Sequence, residues 1–400
     1  MVYRDRSDVP EVFLGNDLID EREIDMVVDL LKKRSIFRYY GHEMLHRTDN
    51  FEYLLSKYFG SKYALCVSSG TAALKVAINS LDLDIGDEII LPSFGYIATA
   101  NAIISSNCIP VFADVDNSLN ISPDSIESLI SEKTKAIIVI HISGQACDME
   151  KIMEISERYN IPVIEDVAQA FGGEYKGRKL GTIGKIGCFS FQSNKLLSTG
   201  EGGCVITNDN KLYLRGRNYH DQGGFRKNNT YPKWSDNSSL FGENLRMTEI
   251  AASIGIVQLS RIDDMLDILH EHKLHIMKKL EHYNLNWRKN FDIAGDCSVS
   301  LCFYIDNLEN REIIIEKLRG IHANGSYNSA MYENYVFDHI KQKFKLLSIV
   351  GSENRINIKN CKNAEKLSKE AVWIPLSPLY TSEDLEVICN KIEEILQNQN

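Results

Sequence analysis

The stretch Gly187-Cys-Phe-Ser-Phe-Gln-Ser-Asn-Lys-Leu-Leu-Ser-Thr-Gly-Glu-Gly-Gly203 decides the fold, because it joins two apolar runs through a short polar segment. The first run, Gly187 to Phe191, has the continuous apolar character of a strand that is covered on both faces. The second run, Gly203 to Thr207, begins only 16 residues after the first. That spacing is too short for a crossover helix and predicts a hairpin-like return.

Five similar apolar runs precede this stretch at regular intervals. Their first residues are separated by 21 to 27 positions, which is enough for one crossover helix and two short loops. Because the runs do not alternate between apolar and polar residues, we predict a mainly parallel, doubly covered α/β sheet from residue 60 to about residue 200. The runs are Tyr63 to Val67, Glu88 to Leu91, Ile109 to Ala113, Ala136 to Ile140 and Ile161 to Glu165.

The flanking segments predict helices and a second, smaller domain. Apolar residues recur at helical spacing over residues 20–34, and a second helix is predicted over residues 50–58. Further along the chain, the pattern predicts a long loop over 221–243, a long helical stretch over 248–283 and a closing helix over 382–396. The predicted units are a large domain over 1–250, a connecting helical stretch over 251–289 and a small C-terminal domain over 290–400.

Composition and charge exclude several classes of protein. The 400 residues carry a formal net charge of −10 and are 44% hydrophobic, which predicts a globular protein and disfavours nucleic acid as a partner. The N-terminal residues lack the apolar segment of a secretory signal, and no apolar run is long enough to span a membrane. The nine cysteines include no C-x-x-C pair, so we expect a cytoplasmic location and no metal site.

Asp166 and Lys195 each follow an apolar strand, near the edge of an open α/β sheet where ligands bind. Asp166 is either a cap or turn residue or a carboxylate that faces a cationic ring nitrogen. Lys195 is either a solvated loop lysine or, when buried beside a cofactor, a nucleophile that forms a Schiff base. Together they match the requirements of pyridoxal phosphate, which needs such a lysine and an acid opposite its ring nitrogen.

The segment Ser68-Ser-Gly-Thr-Ala-Ala-Leu74 follows the run at Tyr63 to Val67 and predicts the start of a helix. Small residues let the backbone approach an anion, and the first N–H groups of a helix point towards it. The same residues also make an ordinary capped helix start, so a phosphate site is one of two interpretations. The sequence contains neither a G-x-G-x-x-G fingerprint nor a Walker lysine, which argues against dinucleotide and P-loop sites.

Eight motifs, taken in order, resemble the DegT/StrS-type sugar aminotransferases, which have fold type I of the aspartate aminotransferase superfamily. The resemblance runs through most of the chain. It implies a large transferase domain that depends on pyridoxal 5'-phosphate, followed by a smaller C-terminal α/β domain. The motifs are Ser69 to Leu74, Gly86 to Pro92, Ala98 to Ala102, Pro110 to Asp116, His141 to Gln145, Glu165 to Ala170, the Lys195 segment and Gly242 to Glu249.

The resemblance also implies roles for residues at matching positions. Lys195 would form the internal aldimine and move the proton during catalysis, and Asp166 would keep the ring nitrogen protonated. Gln169 would lie near the ring hydroxyl, and Tyr96 would stack on the ring. Asn244 would reach the phosphate from the neighbouring subunit of a homodimer. The other residues implied to line the phosphate are Gly70, Thr71, Ala72 and Ser190.

Outside the motif context, Tyr96, Ser190 and Asn244 have ordinary structural interpretations. Gly95 stands where many relatives have threonine, a departure that leaves the chemistry unchanged. Lys195 stands where related dehydratases carry histidine, so the resemblance favours transamination.

We therefore expect ping-pong transfer of an amino group from glutamate or glutamine to a keto cyclitol or to a keto sugar, free or nucleotide-linked. Aminohydroxybenzoate synthesis, sugar dehydration and a non-catalytic regulatory role are the alternatives. The candidate acceptor residues are Tyr39, Tyr40 and His220, together with the loop from Asp221 to Trp234.

Overall fold

A seven-stranded sheet forms the centre of the molecule in the computed structural model, which describes residues 7–226, 231, 233–234, 239–325 and 361–397. Up to residue 207 the strands are β1 (Tyr63–Val67), β2 (Glu88–Pro92), β3 (Ile109–Ala113), β4 (Thr134–Ile140), β5 (Val163–Asp166), β6 (Glu174–Tyr175), β7 (Arg178–Lys179), β8 (Ile186–Ser190) and β9 (Gly203–Thr207). Strands β6 and β7 form a separate short hairpin, and the others lie in the order β1-β9-β8-β5-β4-β2-β3.

The strand directions confirm the predicted mainly parallel sheet. Strand β9 is antiparallel to both of its neighbours, β1 and β8, whereas every other pair in this sheet is parallel. The hairpin-like return predicted for the run from Gly203 to Thr207 is therefore confirmed. In register, Asp166 lies between Ile140 of β4 and Cys188 of β8, so the carboxyl ends of three parallel strands meet at one edge.

Helices cover both faces of this sheet, as the unalternated apolar runs predict. All residues of β2, β3, β5, β8 and β9 are buried, which requires cover on both sides. The helices up to residue 279 are α1 (Glu21–Lys32), α2 (Arg47–Phe59), α3 (Gly70–Ser80), α4 (Ala98–Ser105), α5 (Pro123–Leu129), α6 (Met149–Tyr159), α7 (Asn210–Tyr219), α8 (Glu249–Leu259) and α9 (Ile262–Lys279).

The long helical stretch expected over residues 248–283 is interrupted. It consists of α8 and α9, separated by Ser260 and Arg261, and it ends in a 3-10 turn at Glu281–Tyr283. At the break, the Arg261 guanidinium donates to the carbonyl oxygen of Leu18 at 2.6 Å. The junction between the two helices is thus tied to the N-terminal segment, a contact that helical periodicity does not encode.

The C-terminal region has its own small sheet. Strands β10 (Ser300–Tyr304) and β11 (Ala371–Pro375) pair antiparallel, and the helices of this region are α10 (Leu308–Lys317), α11 (Lys362–Glu370) and α12 (Ser382–Gln397). The closing helix expected at residue 382 is confirmed by α12, whereas the domain boundaries at residues 250 and 290 stay predictions. In the described part of the chain, no helix combines the length and the apolar character needed to cross a bilayer.

Candidate active site

The start of α3 forms a cup for an anion beside the end of β8. Ser69 caps the helix by accepting the Ala72 N–H at its Oγ at 3.1 Å, while the N–H groups of Gly70 and Thr71 precede any intrahelical acceptor. A Cβ at Gly70 would come within 2.6 Å of the Ser190 Cβ, so only glycine lets Ser190 lie this close. Two backbone N–H groups and nearby hydroxyls are suited to bind a phosphate.

Asp166 is the last residue of β5 and is buried at the carboxyl edge of the sheet. Its Oδ1 accepts the Ala168 N–H at 3.1 Å, and its Oδ2 accepts the Thr99 hydroxyl at 2.9 Å. Burial raises the pKa of Asp166, and these two hydrogen bonds and the charge of Lys195 oppose the rise. A carboxylate in this position is stabilised by a cation such as a protonated ring nitrogen.

Lys195 lies in the turn after β8, close enough to Asp166 for the two charges to interact. Burial lowers the pKa of Lys195, because the ammonium form is poorly solvated there, and the Asp166 carboxylate opposes the change. A lower pKa increases the fraction of neutral, nucleophilic amine. The backbone is held on both sides: Lys195 N–H donates to Gln192 at 2.9 Å, and Gly15 N–H donates to the Lys195 carbonyl at 3.1 Å.

Gln169 follows the Asp166 strand and is fixed by the loop after β4. The Ser143 N–H donates to Gln169 Oε1 at 2.9 Å, and Ser143 has a left-handed φ of 50°. The Ser143 Oγ also lies 3.0 Å from the Ser300 Oγ of β10, which links the site to the C-terminal region.

One cavity of about 450 Å³ brings most of the predicted residues together. Gly70, Thr71, Tyr96, Asp166, Gln169, Ser190 and Lys195 all line it. The cavity is also lined by residues for which no individual role is predicted from the sequence: Ser69, Leu74, Ala98, Thr99, Ile140, Ala168, Cys188, Phe189, Gln192, Asn194 and Glu201. For all of them except Ile140 a signal existed, because they lie within the eight motifs.

The chemical groups that line this cavity are the ones that bind pyridoxal 5'-phosphate. The cup at α3 and Ser190 suits the phosphate, and buried Asp166 suits the ring nitrogen. The amine of Lys195, whose pKa is lowered by burial, suits the aldehyde. All three functions meet in one cavity, as the cofactor requires.

Other predicted residues lie outside this cavity of the single chain. Ala72 is buried in α3 and contributes its N–H to the cap. Asn244 does not line the cavity and forms a β-bridge with Asp221. Its predicted contact with the cofactor of a partner subunit stays a prediction.

The three candidate acceptor residues do not line this cavity, and two of them, Tyr39 and His220, are in contact. His220 is fully buried, its Nδ1 donates to the Arg217 carbonyl, and its Nε2 lies 3.4 Å from the Tyr39 hydroxyl. Burial, reinforced by the charge of Arg38, lowers the pKa of His220 to about 3, so the ring is neutral near pH 7. Tyr40 is exposed, with its ring centroid 5.3 Å from that of Tyr231. Part of the predicted loop from Asp221 to Trp234 lies outside the described residues.

Three comparisons place the chain among known proteins. A sequence profile of the DegT/DnrJ/EryC1/StrS aminotransferase family matches residues 17–393. GDP-perosamine synthase of Caulobacter vibrioides is 38% identical over 261 residues, which cover 65% of this chain and 67% of that protein. L-glutamine:2-deoxy-scyllo-inosose aminotransferase of Streptomyces kanamyceticus is 32% identical over 262 residues, 63% of this chain and 60% of that protein. The crystal structure of an aminotransferase from Psychrobacter cryohalolentis has a TM-score of 0.81 at 28% identity and covers 96% of this chain and 98% of its own.

The aligned part thus spans roughly two thirds or less of the two curated relatives, whereas the crystal structure is matched almost throughout. The profile match covers all eight motifs, and the structural match extends the likeness to the whole fold. The predicted fold class, family and cofactor are confirmed. The chain belongs to the DegT/DnrJ/EryC1/StrS family of pyridoxal-phosphate-dependent aminotransferases.

Proposed function

We propose that this protein transfers an amino group from glutamate or glutamine to a keto sugar or keto cyclitol by a ping-pong reaction. The observation that carries the proposal is the pairing of half-buried Lys195 with buried Asp166 in a cavity that also has an anion cup. The names of the two relatives, one a perosamine synthase and one an inosose aminotransferase, support a sugar or cyclitol acceptor.

Four residues of the cavity have tasks in this proposal. Lys195 Nζ would hold the cofactor through its aldehyde group and, once the donor amine has freed it, would carry the proton that leaves the donor α-carbon. When bound, pyridoxal phosphate supplies an electron sink for the negative charge that develops on the substrate carbon. Asp166 keeps the ring nitrogen protonated, and the N–H groups of Gly70 and Thr71 hold the phosphate.

A second, smaller cavity supports binding of an uncharged ring next to Lys195. It measures about 120 Å³ and shares Ala168, Gln169, Asn194 and Lys195 with the larger cavity. Among its described lining residues only Lys195 is ionisable, and the hydroxyls of Ser143 and Ser300 offer hydrogen bonds. Its remaining lining residues are Val12, Phe13, Leu14, Phe171, Leu196, Val299 and Pro375. Hydroxyl groups beside apolar walls suit a sugar or cyclitol ring.

The reaction is tested with the purified holoenzyme, α-nitrogen-labelled glutamate or glutamine, and a panel of keto sugars and inososes. We expect an amino product that carries the label, detected by mass spectrometry, and no such product from the Lys195→Ala variant. A product that has lost oxygen without gaining nitrogen would instead indicate dehydration. Loss of water with formation of an aromatic ring would indicate aminohydroxybenzoate chemistry, and cofactor binding without any turnover would favour a regulatory role.

The proposal includes a homodimer in which Asn244 of each subunit reaches the phosphate in the other. The exposure of Tyr96, at 61% in the single chain, supports a site that a second subunit completes. Mixing Lys195→Ala and Asn244→Ala proteins tests this arrangement, because mixed dimers contain one site with neither change. Activity that appears only on mixing supports shared sites. The acceptor role of Tyr39, Tyr40 and His220 and the cytoplasmic location remain predictions.

A further inference from the structure

Thr99 forms a side-chain hydrogen bond to a residue that is distant in the sequence. It is the second residue of α4, only 1% exposed, and its Oγ1 donates to Asp166 Oδ2 at 2.9 Å. The start of α4 is thereby joined to a carboxylate 67 positions away in the chain.

The contacts of Asp166 show what this bond does. Besides Thr99, the Ala168 N–H donates to Oδ1 at 3.1 Å, and the His141 N–H donates to the main-chain oxygen of Asp166 at 3.1 Å. One donor on each carboxylate oxygen fixes the rotation of the carboxylate about its bond to Cβ. The donor on Oδ1 belongs to the backbone, so the side chain of Thr99 is the part of this arrangement that substitution can remove.

We infer that Thr99 is a positioning residue, which holds the Asp166 carboxylate in the orientation that binds the ring nitrogen of the cofactor. The inference rests on the proposed role of Asp166. Hydrogen bonds to an ionised carboxylate favour its charged form, and in this buried site they oppose the effect of burial. The titratable groups whose charges act on Asp166 are Lys195 in the turn after β8 and His141 just after β4, and Cys188 lies beside it in β8.

The test uses the reconstituted holoenzyme with Thr99→Val, which removes the hydroxyl at nearly constant volume, and Thr99→Ser, which keeps it. Thr48 provides the matched control, because it is fully buried in a helix and its hydroxyl has no partner among the described residues. Three quantities are measured for each variant: the Kd of the cofactor, the pH midpoint of its visible absorbance, and kcat and KM separately.

For Thr99→Val we expect the cofactor Kd to rise and kcat to fall, each by about tenfold, with KM little changed. The absorbance midpoint should move upward by roughly half to one pH unit. The reason is that a less stabilised carboxylate draws the proton away from the ring nitrogen. The ring then carries less positive charge, so the nitrogen supplied by Lys195 holds its own proton more tightly. In Thr99→Ser the Kd, the absorbance midpoint and kcat should all be close to their wild-type values, and Thr48→Val should resemble the wild type.

Two results would overturn the inference. One is an unchanged Kd and absorbance midpoint in folded Thr99→Val protein. The other is an equal defect in Thr99→Ser, because packing of the methyl group would then be the cause. If Thr99→Val does not fold, Thr99→Ala is compared with Thr99→Ser in the same way. A wild-type protein that binds the cofactor but aminates no keto substrate would contradict the proposed function, while the Kd and absorbance comparison would still decide the role of Thr99.

Discussion

Glu165 and Asp166 are adjacent carboxylates in the same strand, and their surroundings differ. Glu165 Oε1 accepts the N–H groups of Ile183 and Gly184, and its Oε2 accepts those of Gly181 and the His141 ring. Because a carboxylate has about four acceptor sites, Glu165 is fully hydrogen-bonded inside the protein. The His141 ring is fixed as well, since its Nδ1 accepts the Cys147 N–H at 3.1 Å and its Nε2 therefore donates.

Asp166, by contrast, has one donor on each oxygen among the described residues and lines the cavity that contains Lys195. Successive side chains of a strand point to opposite faces of the sheet, so Glu165 and Asp166 have different surroundings and different roles. Glu165 ties β5 to β4 and to the turn at residues 181–184, whereas half of the acceptor capacity of Asp166 is available to a ligand. Glu165 and Asp166 are both acidic and both buried. They differ in the number of hydrogen bonds that each carboxylate accepts from the protein, and this number distinguishes the structural acid from the functional one.

The largest effect should come from the amine that faces the functional acid. Replacing Lys195 with alanine should abolish borohydride-trappable cofactor and lower kcat by at least about a thousandfold, because the covalent and proton-transfer steps share this group. Lys185→Ala is the control, since Lys185 lies at the surface in an ion pair with Asp209. Trappable cofactor or wild-type turnover in Lys195→Ala would show that another amine performs the chemistry.

Asp166→Asn should have the next largest effect and should leave the protein folded. The amide cannot hold a positive charge on the ring nitrogen, so we expect kcat to fall by about a hundredfold or more and the cofactor to bind more weakly. Stopped-flow absorbance and equilibrium binding measure the two quantities. A variant with wild-type kcat would remove the distinction between the two acids.

Glu165→Gln should show the reverse pattern, with a large loss of stability and a small loss of activity. The glutamine amide has an N–H₂ group in place of one carboxylate oxygen, so the backbone N–H groups that bonded to this oxygen lose their acceptor. We expect the free energy of unfolding to fall by about 3 kcal/mol. Urea denaturation of the apoprotein measures this cost. Once the variant is folded and saturated with cofactor, kcat should remain within about threefold of the wild type. A much lower kcat with unchanged stability would assign Glu165 to the chemistry.

The role of Asp166 as a site residue can be predicted from the sequence better than the structural role of Glu165. Strands β1, β3 and β9 have their predicted bounds, because strands that are covered on both faces require contiguous apolar residues, and Asp166 and Lys195 stand out by following such runs. The partners of both acids carry no such signal. The Thr99 hydroxyl is 67 positions from Asp166, and Arg261 is 243 positions from the Leu18 carbonyl where the long helix breaks. A single sequence shows local periodicity, whereas the choice between hydrogen-bond partners depends on the packed fold.

The smallest predicted effect is a pH-dependent gain in stability from Asp166→Asn in the apoprotein. Burial raises the pKa of Asp166 above its ordinary value of 3.8, so ionisation of this carboxyl costs more in the folded state than in the unfolded state. That cost is present in full above the raised pKa and disappears as the pH falls through 3.8, where the group is protonated in both states. The asparagine variant does not ionise, so it should be more stable than the wild type at pH 8, and the difference should shrink towards about pH 4.

Urea midpoints measured at pH 8, 6, 5 and 4 check the trend against Glu165→Gln, which should be less stable than the wild type at pH 8. If Asp166→Asn were also less stable at pH 8, Asp166 would be a second structural acid, and the contrast with its neighbour would fail.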